Sequence, residues 1–307
     1  MRIYTRSFTH TVTEEEASNG SSIKKLMDIH FDFSSRLRTK IKQNDLVTVN
    51  GKKVPLWIPP EAGDVICITL PQETSDFEPE PIPLDIVYED EDIMAINKQP
   101  HLVVHPTYGF NEGTVAHGLS YLMQERGEAF KIRFINRLDM DTSGILLIAK
   151  NAYAQDAYTK AQKEGLVSKR YEAIVSGHVE NDEGLIDAPI GHIDPAGPHR
   201  GVVEGGKPSQ TRYRVIERLG SGERAATLVE LELLTGRTHQ IRVHMKHIGH
   251  TLLGDEFYDG DLSMIKRQAL HAKYLSFPHP VTKDPVEISC PLPDDMQELI
   301  CTLRELR

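Results

Sequence analysis

Cysteine is scarce in this chain: Cys67, Cys290 and Cys301 are the only three among 307 residues. An odd number without metal-ligand spacing excludes a disulfide framework and a cysteine zinc site, and is what a reducing cytoplasm leads one to expect. No apolar run approaches the ~18 residues of a bilayer-crossing helix. The longest, such as Gly144 to Ala149, are strand-sized. The opening Met1-Arg2-Ile3-Tyr4-Thr5-Arg6 lacks the apolar centre of a secretory signal. Internal repeats and low-complexity tracts are also missing. Finally, Lys and Arg are absent from Gln72 to Asp92, a stretch holding nine acidic residues.

That gap accounts for much of the net charge of −10, which otherwise counts against a nucleic-acid partner because counterion release rewards a basic surface. Elsewhere the balance turns basic: Lys131, Arg133, Arg137, Lys150, Lys160, Lys163, Lys169 and Arg170 follow in quick succession. A hydrophobic fraction of 39% supports real cores, and 307 residues exceed one comfortable core, so two domains are expected. Pro71, Pro79, Pro81 and Pro83 interrupt helix and central strand alike. They mark a flexible, acidic linker over 71–83 and divide the chain into 1–75 and 76–307. Before the linker, Ser21 to Ile29 and Ser34 to Lys42 read as short helices. Leu46 to Asn50 reads as a strand turned at Asn50-Gly51, and Val65 to Leu70 as a second. This order resembles the small αL-type RNA-binding module named for a small-subunit ribosomal protein. The resemblance implies a small α/β unit whose phosphate-contacting face carries Lys24, Lys25, Arg36, Arg38, Lys40 and Lys42; read without it, these are an ordinary solvated helix face.

The densest chemistry lies in Asn136-Arg137-Leu138-Asp139-Met140-Asp141-Thr142-Ser143-Gly144, running into Ile145 to Ala149. The β-branched and leucine run reads as a strand covered on both faces. The residues before it are turn formers able to bond nearby amides. An acid beside an arginine is thus mounted in a turn at the mouth of a buried strand. On chemistry alone a structural Asx-turn explains it equally well.

Arg137-Leu138-Asp139 followed by Asp141-Thr142-Ser143-Gly144 resembles the catalytic motif of the RluA family of pseudouridine synthases. Further blocks follow in that family's order: Ile96-Asn97-Lys98-Gln99-Pro100 to Val104-His105-Pro106, Ser168 to Ala173, Thr235 to His244, Gly254-Asp255 and Leu270-His271-Ala272. Asn136 stands where the family more often has histidine. The resemblance spans roughly residues 84 to 281 and implies an α+β catalytic domain with a mixed, mostly antiparallel sheet and a cleft across it. It implies isomerisation of uridine to pseudouridine in structured RNA, ribosomal or transfer, by a monomer needing neither cofactor nor metal. Asp139 would be the essential carboxylate, as nucleophile or proton-abstracting base. Arg242 would pair with it and favour its ionised form, Tyr171 would stack on the flipped base, and Arg137 would fill the space that base vacates. The expected strands are Asp92 to Asn97, Gly144 to Ala149, Tyr171 to Ser176, Thr211 to Ile216 and Thr227 to Leu234.

Residues 236–249 stand on their own spacing as well. Ile241, Met245 and Ile248 recur as one helical face and Gly249 is a suitable stop. Arg242 lies one position round, where a guanidinium entering the core edge needs a carboxylate. His239, His244, His247 and His250 invite a zinc reading, but no acid completes a zinc-protease spacing. Asp141-Thr142-Ser143-Gly144 is superficially similar to an aspartic-protease loop, which requires a second aspartate that only a symmetric dimer could supply. A non-catalytic RNA-binding protein would leave the Asp-Tyr-Arg set unexplained.

Overall fold

The computed structural model describes residues 2–3 and 5–306. Near the N-terminus a four-stranded antiparallel sheet packs on two helices. Its strands are β1 (Ser7–Thr11), β2 (Val47–Val49), β3 (Lys52–Lys53) and β4 (Val65–Thr69), in the order β1-β4-β2-β3. Helices α1 (Ile23–His30) and α2 (Ser35–Gln43) begin at Ser22 and Ser34, whose hydroxyls accept from the Lys25 and Leu37 amides. Leu26, Ile41, Ile66 and Ile68 close the core beneath them. The turn at Asn50-Gly51 has φ of +49° and +78°, which only such residues adopt readily and which matches the strand twist of a tight hairpin. The sequence reading missed β1 and the short helix Glu14–Ser18, whose Thr13 capping box is local chemistry that was there to be read.

The segment 71–84 carries no regular element, but the expectation of a flexible linker is corrected by its contacts. Glu73 pairs with Lys40 and Arg133, and the Ser75 hydroxyl accepts from the Ile132 amide at 2.9 Å. The Glu80 carboxylate accepts from the Gly113 amide, and Phe77, Ile82 and Leu84 pack against the larger core. Proline prevents regular hydrogen bonding here without preventing docking. Tyr153 of the larger unit is in turn buried against Phe8 and Phe33.

The larger unit is built on a ten-stranded sheet. Its strands are β5 (Asp85–Glu89), β6 (Ile93–Lys98), β7 (Ser143–Ala149), β8 (Ser168–Ser176), β9 (Glu183–Asp187), β10 (Gln210–Leu219), β11 (Ala226–Leu233), β12 (Leu270–Pro278) and β13 (Pro285–Ser289), together with the two residues Arg133–Phe134. The order is β9-β10-β11-β8-β12-β7-β6-β5, with β13 on β12 and Arg133–Phe134 on β7. All pairings are antiparallel except β7 with β12. The five expected strands are all present, their ends shifted by no more than three residues. β7 is buried along its whole length: Leu146 and Ile148 face one core, Ile145, Leu147 and Ala149 the other. The first core is covered by α3 (Val115–Arg126) and α5 (Gln240–His247), the second by α4 (Ala152–Lys163). A terminal helix, α6 (Asp294–Glu305), buries Leu299 and Leu303 against Ile174 and Leu219.

One transverse row sets the cleft. Tyr213, Leu231, Tyr171, Ala272, Gly144 and Lys98 are successive cross-strand neighbours over β10, β11, β8, β12, β7 and β6. Because β7 and β12 are parallel, the loops leading into both converge at one end of this row. Gly144 is required there: its φ is +106°, and a Cβ would lie 2.3 Å from the Ala272 carbonyl oxygen.

Candidate active site

Asp139 sits in the loop that enters β7, its side chain one-third exposed. The loop is closed by the Thr142 amide donating to the Asp139 carbonyl at 3.1 Å. Three side chains, two of them buried and one half-buried, hold it from outside. Lys98, fully buried at the end of β6, donates from Nζ to the carbonyls of Gln99, Leu102 and Met140 at 2.8–3.0 Å. Arg267, just before β12, donates to the Asp141 carbonyl at 3.0 Å while its other edge is fixed by Asp295 of α6. Asn136 bridges the turn to β7, donating to the Ile145 carbonyl and accepting from the Leu147 amide at 2.7 Å. Asparagine at this position therefore acts as an extra strand pairing. Asp141 accepts a contact from His101 at 2.8 Å, which ties this loop to the one that follows β6.

Arg242 rises from the first turn of α5 and meets Asp139 at 2.9 Å through Nη1. Its other edge is bidentate to Asp255, Nε and Nη2 each at 2.7 Å. Arg242 and Asp255 are both buried, so this is a fully desolvated fork-to-fork pair. The guanidinium also lies 4.9 Å from the Tyr258 ring centre and 5.5 Å from that of Phe257. Burial opposes its charge, but Asp255 and Asp139 together raise its pKa. Arg242 is thus a rigid cation with one edge turned to the cleft.

Tyr171 of β8 is buried beside this pair. Burial, and then the charge of Asp139, push its phenol well above the ordinary range, so it is neutral at physiological pH. His239 stands 3.7 Å from Asp139 through Nε2 and shares a 2.9 Å hydrogen bond with the Tyr258 hydroxyl through Nδ1. Burial lowers its pKa and keeps the ring neutral at pH 7, while burial pushes Tyr258 up to about 12. His239 adopts φ +56° at the start of α5, a conformation non-glycine residues hold only where their surroundings impose it. Gln240 supplies that constraint: its amide oxygen accepts from Thr235 and the Arg237 amide, and its nitrogen donates to Gln210 and Thr211. Lys98 is the other titratable group of note, pulled by burial to about 7.

Asp139, Tyr171 and Arg242 are therefore brought together. Arg137 is not part of the cluster: it is exposed beside the cleft, with no ion pair among the described residues. His244 bonds Thr211 and Ala188 within the core and His250 bonds the Ser176 carbonyl, so these two rings are engaged in the fold's own hydrogen bonds. On the N-terminal unit Lys24, Lys25, Arg36 and Lys42 are exposed. The expectation that six basic residues present a free face is corrected for two of them: Arg38 pairs with Asp28 at 3.0 Å and Lys40 with Glu73 at 3.0 Å. Sequence reasoning missed Asp255, His239, Tyr258, Lys98 and Arg267. Asp255 was within reach, because a buried arginine needs more than one acceptor and Gly254-Asp255 follows its helix closely.

The sequence pattern of the family described as RNA pseudouridylate synthase matches residues 92–247, which include Asp139, Tyr171 and Arg242. The chain is 41% identical over 271 residues to the uncharacterized RNA pseudouridine synthase YjbO of Bacillus subtilis (strain 168), covering 87% of this chain and 94% of that one. It is 40% identical over 299 residues to ribosomal large subunit pseudouridine synthase D of Pasteurella multocida (strain Pm70), covering 91% and 90%. Among solved structures it matches human RNA pseudouridylate synthase domain containing 1 with a TM-score of 0.57 at 30% identity, over 76% of this chain and 98% of that one. With a mostly antiparallel α+β sheet and a carboxylate held at its central parallel seam, the chain belongs to the RNA pseudouridine synthases, isomerases that convert uridine in RNA to pseudouridine.

Proposed function

We propose that this enzyme modifies large-subunit ribosomal RNA in the cytoplasm, acting as a monomer with Asp139 as its catalytic carboxylate. The relatives named for that substrate support the choice of ribosomal over transfer RNA. The observation that carries the residue assignment is the chain Asp139–Arg242–Asp255, which fixes a cleft-facing carboxylate against a buried cation.

The reaction breaks the N1–C1′ bond of uridine, turns the uracil, and forms a C5–C1′ bond. C5 then loses its proton and N1 ends protonated, so the atoms balance with no cofactor. Asp139 either attacks C1′ or removes a sugar proton, and both roles require it ionised. Arg242 favours that form and cannot swing away, because Asp255 holds its other edge. Tyr171, neutral and buried, offers the flipped uracil an aromatic face. Flipping costs a few kcal/mol; Arg137, exposed at the rim, offsets part of that by occupying the vacated stack. Residues 1–75 form an RNA-positioning unit through Lys24, Lys25, Arg36 and Lys42, with Arg38 and Lys40 contributing only if RNA displaces Asp28 and Glu73.

Carbodiimide mapping of pseudouridine in total RNA from cells with and without the gene tests this reading. Loss of a defined signal in large-subunit RNA is expected. Loss confined to transfer RNA would overturn the substrate.

A further inference from the structure

We propose that Trp57 is a nucleobase-stacking platform on the N-terminal unit, with Lys24, Lys25, Lys52 and Lys53 engaging the neighbouring phosphates. The inference rests on the reading of this enzyme's N-terminal unit as an RNA-positioning element, and it adds a base contact that basic residues alone do not provide.

Trp57 is the chain's single tryptophan and is 76% exposed. The unit has room for aromatics: Phe31 and Phe33 are buried in its core and Phe8 packs with them. Trp57 is nonetheless displayed, and on a rigid loop. Pro55 precedes it and Pro59-Pro60 follow, and the Ile58 amide closes a turn onto the Pro55 carbonyl at 3.2 Å. The carbonyls on either side of Trp57 are fixed to α1: the Lys24 amide donates to Leu56 at 2.9 Å and the Ile23 amide to Ile58 at 3.1 Å. The loop therefore lies across the helix turn that bears Lys24 and Lys25. The β2–β3 hairpin, whose second strand is Lys52–Lys53, leads straight into it. All four lysines are exposed. Of the acids that follow in the loop, Asp64 is already engaged by Asn50 and by the Glu61 amide.

A tryptophan on a fixed backbone has only two side-chain torsions left to order on contact, which costs little entropy. Four exposed lysines on the two segments that flank it do not suit the centre of a protein interface, where lysine is depleted. Cations that track a backbone beside an aromatic face are the arrangement by which proteins hold unpaired nucleotides.

The sole tryptophan makes the test local. The full-length enzyme is titrated with single-stranded poly(U) and, at matched charge, with heparin, while tryptophan emission is followed. Poly(U) is expected to quench the emission; heparin, which has charge but no bases, is expected to bind without doing so. Trp57→Ala should weaken binding of labelled oligouridine roughly 5- to 150-fold, with Trp57→Phe weakened less and both variants melting like the parent. Unchanged emission on poly(U) binding, unchanged affinity of Trp57→Ala, or a response to anionic lipid vesicles but not to RNA would each overturn the proposal. Lys24→Ala/Lys25→Ala separates the layers. If it flattens the salt dependence while Trp57→Ala does nothing, stacking is wrong and the RNA-positioning unit stands; if neither changes binding, both fail.

Discussion

The cleft at Asp139 and the N-terminal basic face treat charge in opposite ways. In the cleft the cations are buried and committed: Arg242 to two aspartates, Arg267 to Asp295 and three carbonyls, Lys98 to three carbonyls. On the N-terminal unit Lys24, Lys25, Arg36 and Lys42 point into solvent. A cation of the first kind fixes geometry and is insensitive to salt. One of the second kind contributes only when a polyanion arrives and is screened within about 10 Å at 0.1 M salt. Net charge alone distinguishes nothing here, since a total of −10 contains both.

The sharpest break of that contrast is Asp255→Asn. It leaves Arg242 desolvated with only the one-third-exposed Asp139, so unfolding free energy should fall by about 3 kcal/mol and turnover should fall with it. Normal melting in the variant would mean that Asp255 does not anchor the arginine. Next is Arg137→Ala, which should cost roughly tenfold in kcat/KM on folded RNA. The loss should shrink when the target uridine is already unpaired, because less unstacking must then be offset; equal losses on both substrates would exclude a wedge.

Lys98 supplies a pH test. Burial depresses its folded pKa to about 7 from the ordinary lysine value of 10.5. The unfolded chain therefore binds more protons between those values, and stability should rise as pH rises from about 7 toward 10. Measured as the difference in Tm between the parent and Lys98→Met, this gain should appear above pH 7 and be absent below it. A flat difference would mean that the three carbonyls, which together call for three N–H donors, keep the ammonium charged. The smallest effect is expected on the open face. Each phosphate contact removed among Lys24, Lys25, Arg36 and Lys42 should reduce the log–log salt slope of RNA binding by about 0.7–0.9, while Arg38→Ala, whose side chain already pairs with Asp28, should reduce it less.

Local features were the legible ones. β7 was readable because a short, bounded run of β-branched and leucine residues reads as a strand buried on both sides, and Asn50-Gly51 because few residues accept positive φ in succession. The need of Arg242 for a carboxylate followed from desolvation, but the choice of Asp139 rested on family resemblance, and Asp255 was not chosen at all. The reason is combinatorial: with 45 acidic residues, spacing cannot say which one the fold delivers to a given arginine. The same holds for Arg267, whose partner Asp295 lies on the last helix. β1 was missed because it pairs with β4, more than fifty residues away, and its sequence Ser-Phe-Thr-His-Thr holds a single apolar residue. The docking of segment 71–84 escaped because proline content reports backbone hydrogen bonding, not contact with Arg133 or Ile132.

The central claim is that Asp139, and not its turn-forming neighbour Asp141, performs the chemistry. Tritium release from C5-labelled uridine in RNA, measured on purified Asp139→Asn and Asp141→Asn, tests it directly. Both substitutions keep side-chain shape and remove one charge. Asp139→Asn should fold, bind RNA and release no tritium, whereas Asp141→Asn should lose only the part that depends on its contact with His101. Turnover by Asp139→Asn, or a dead Asp141→Asn beside it, would contradict the assignment.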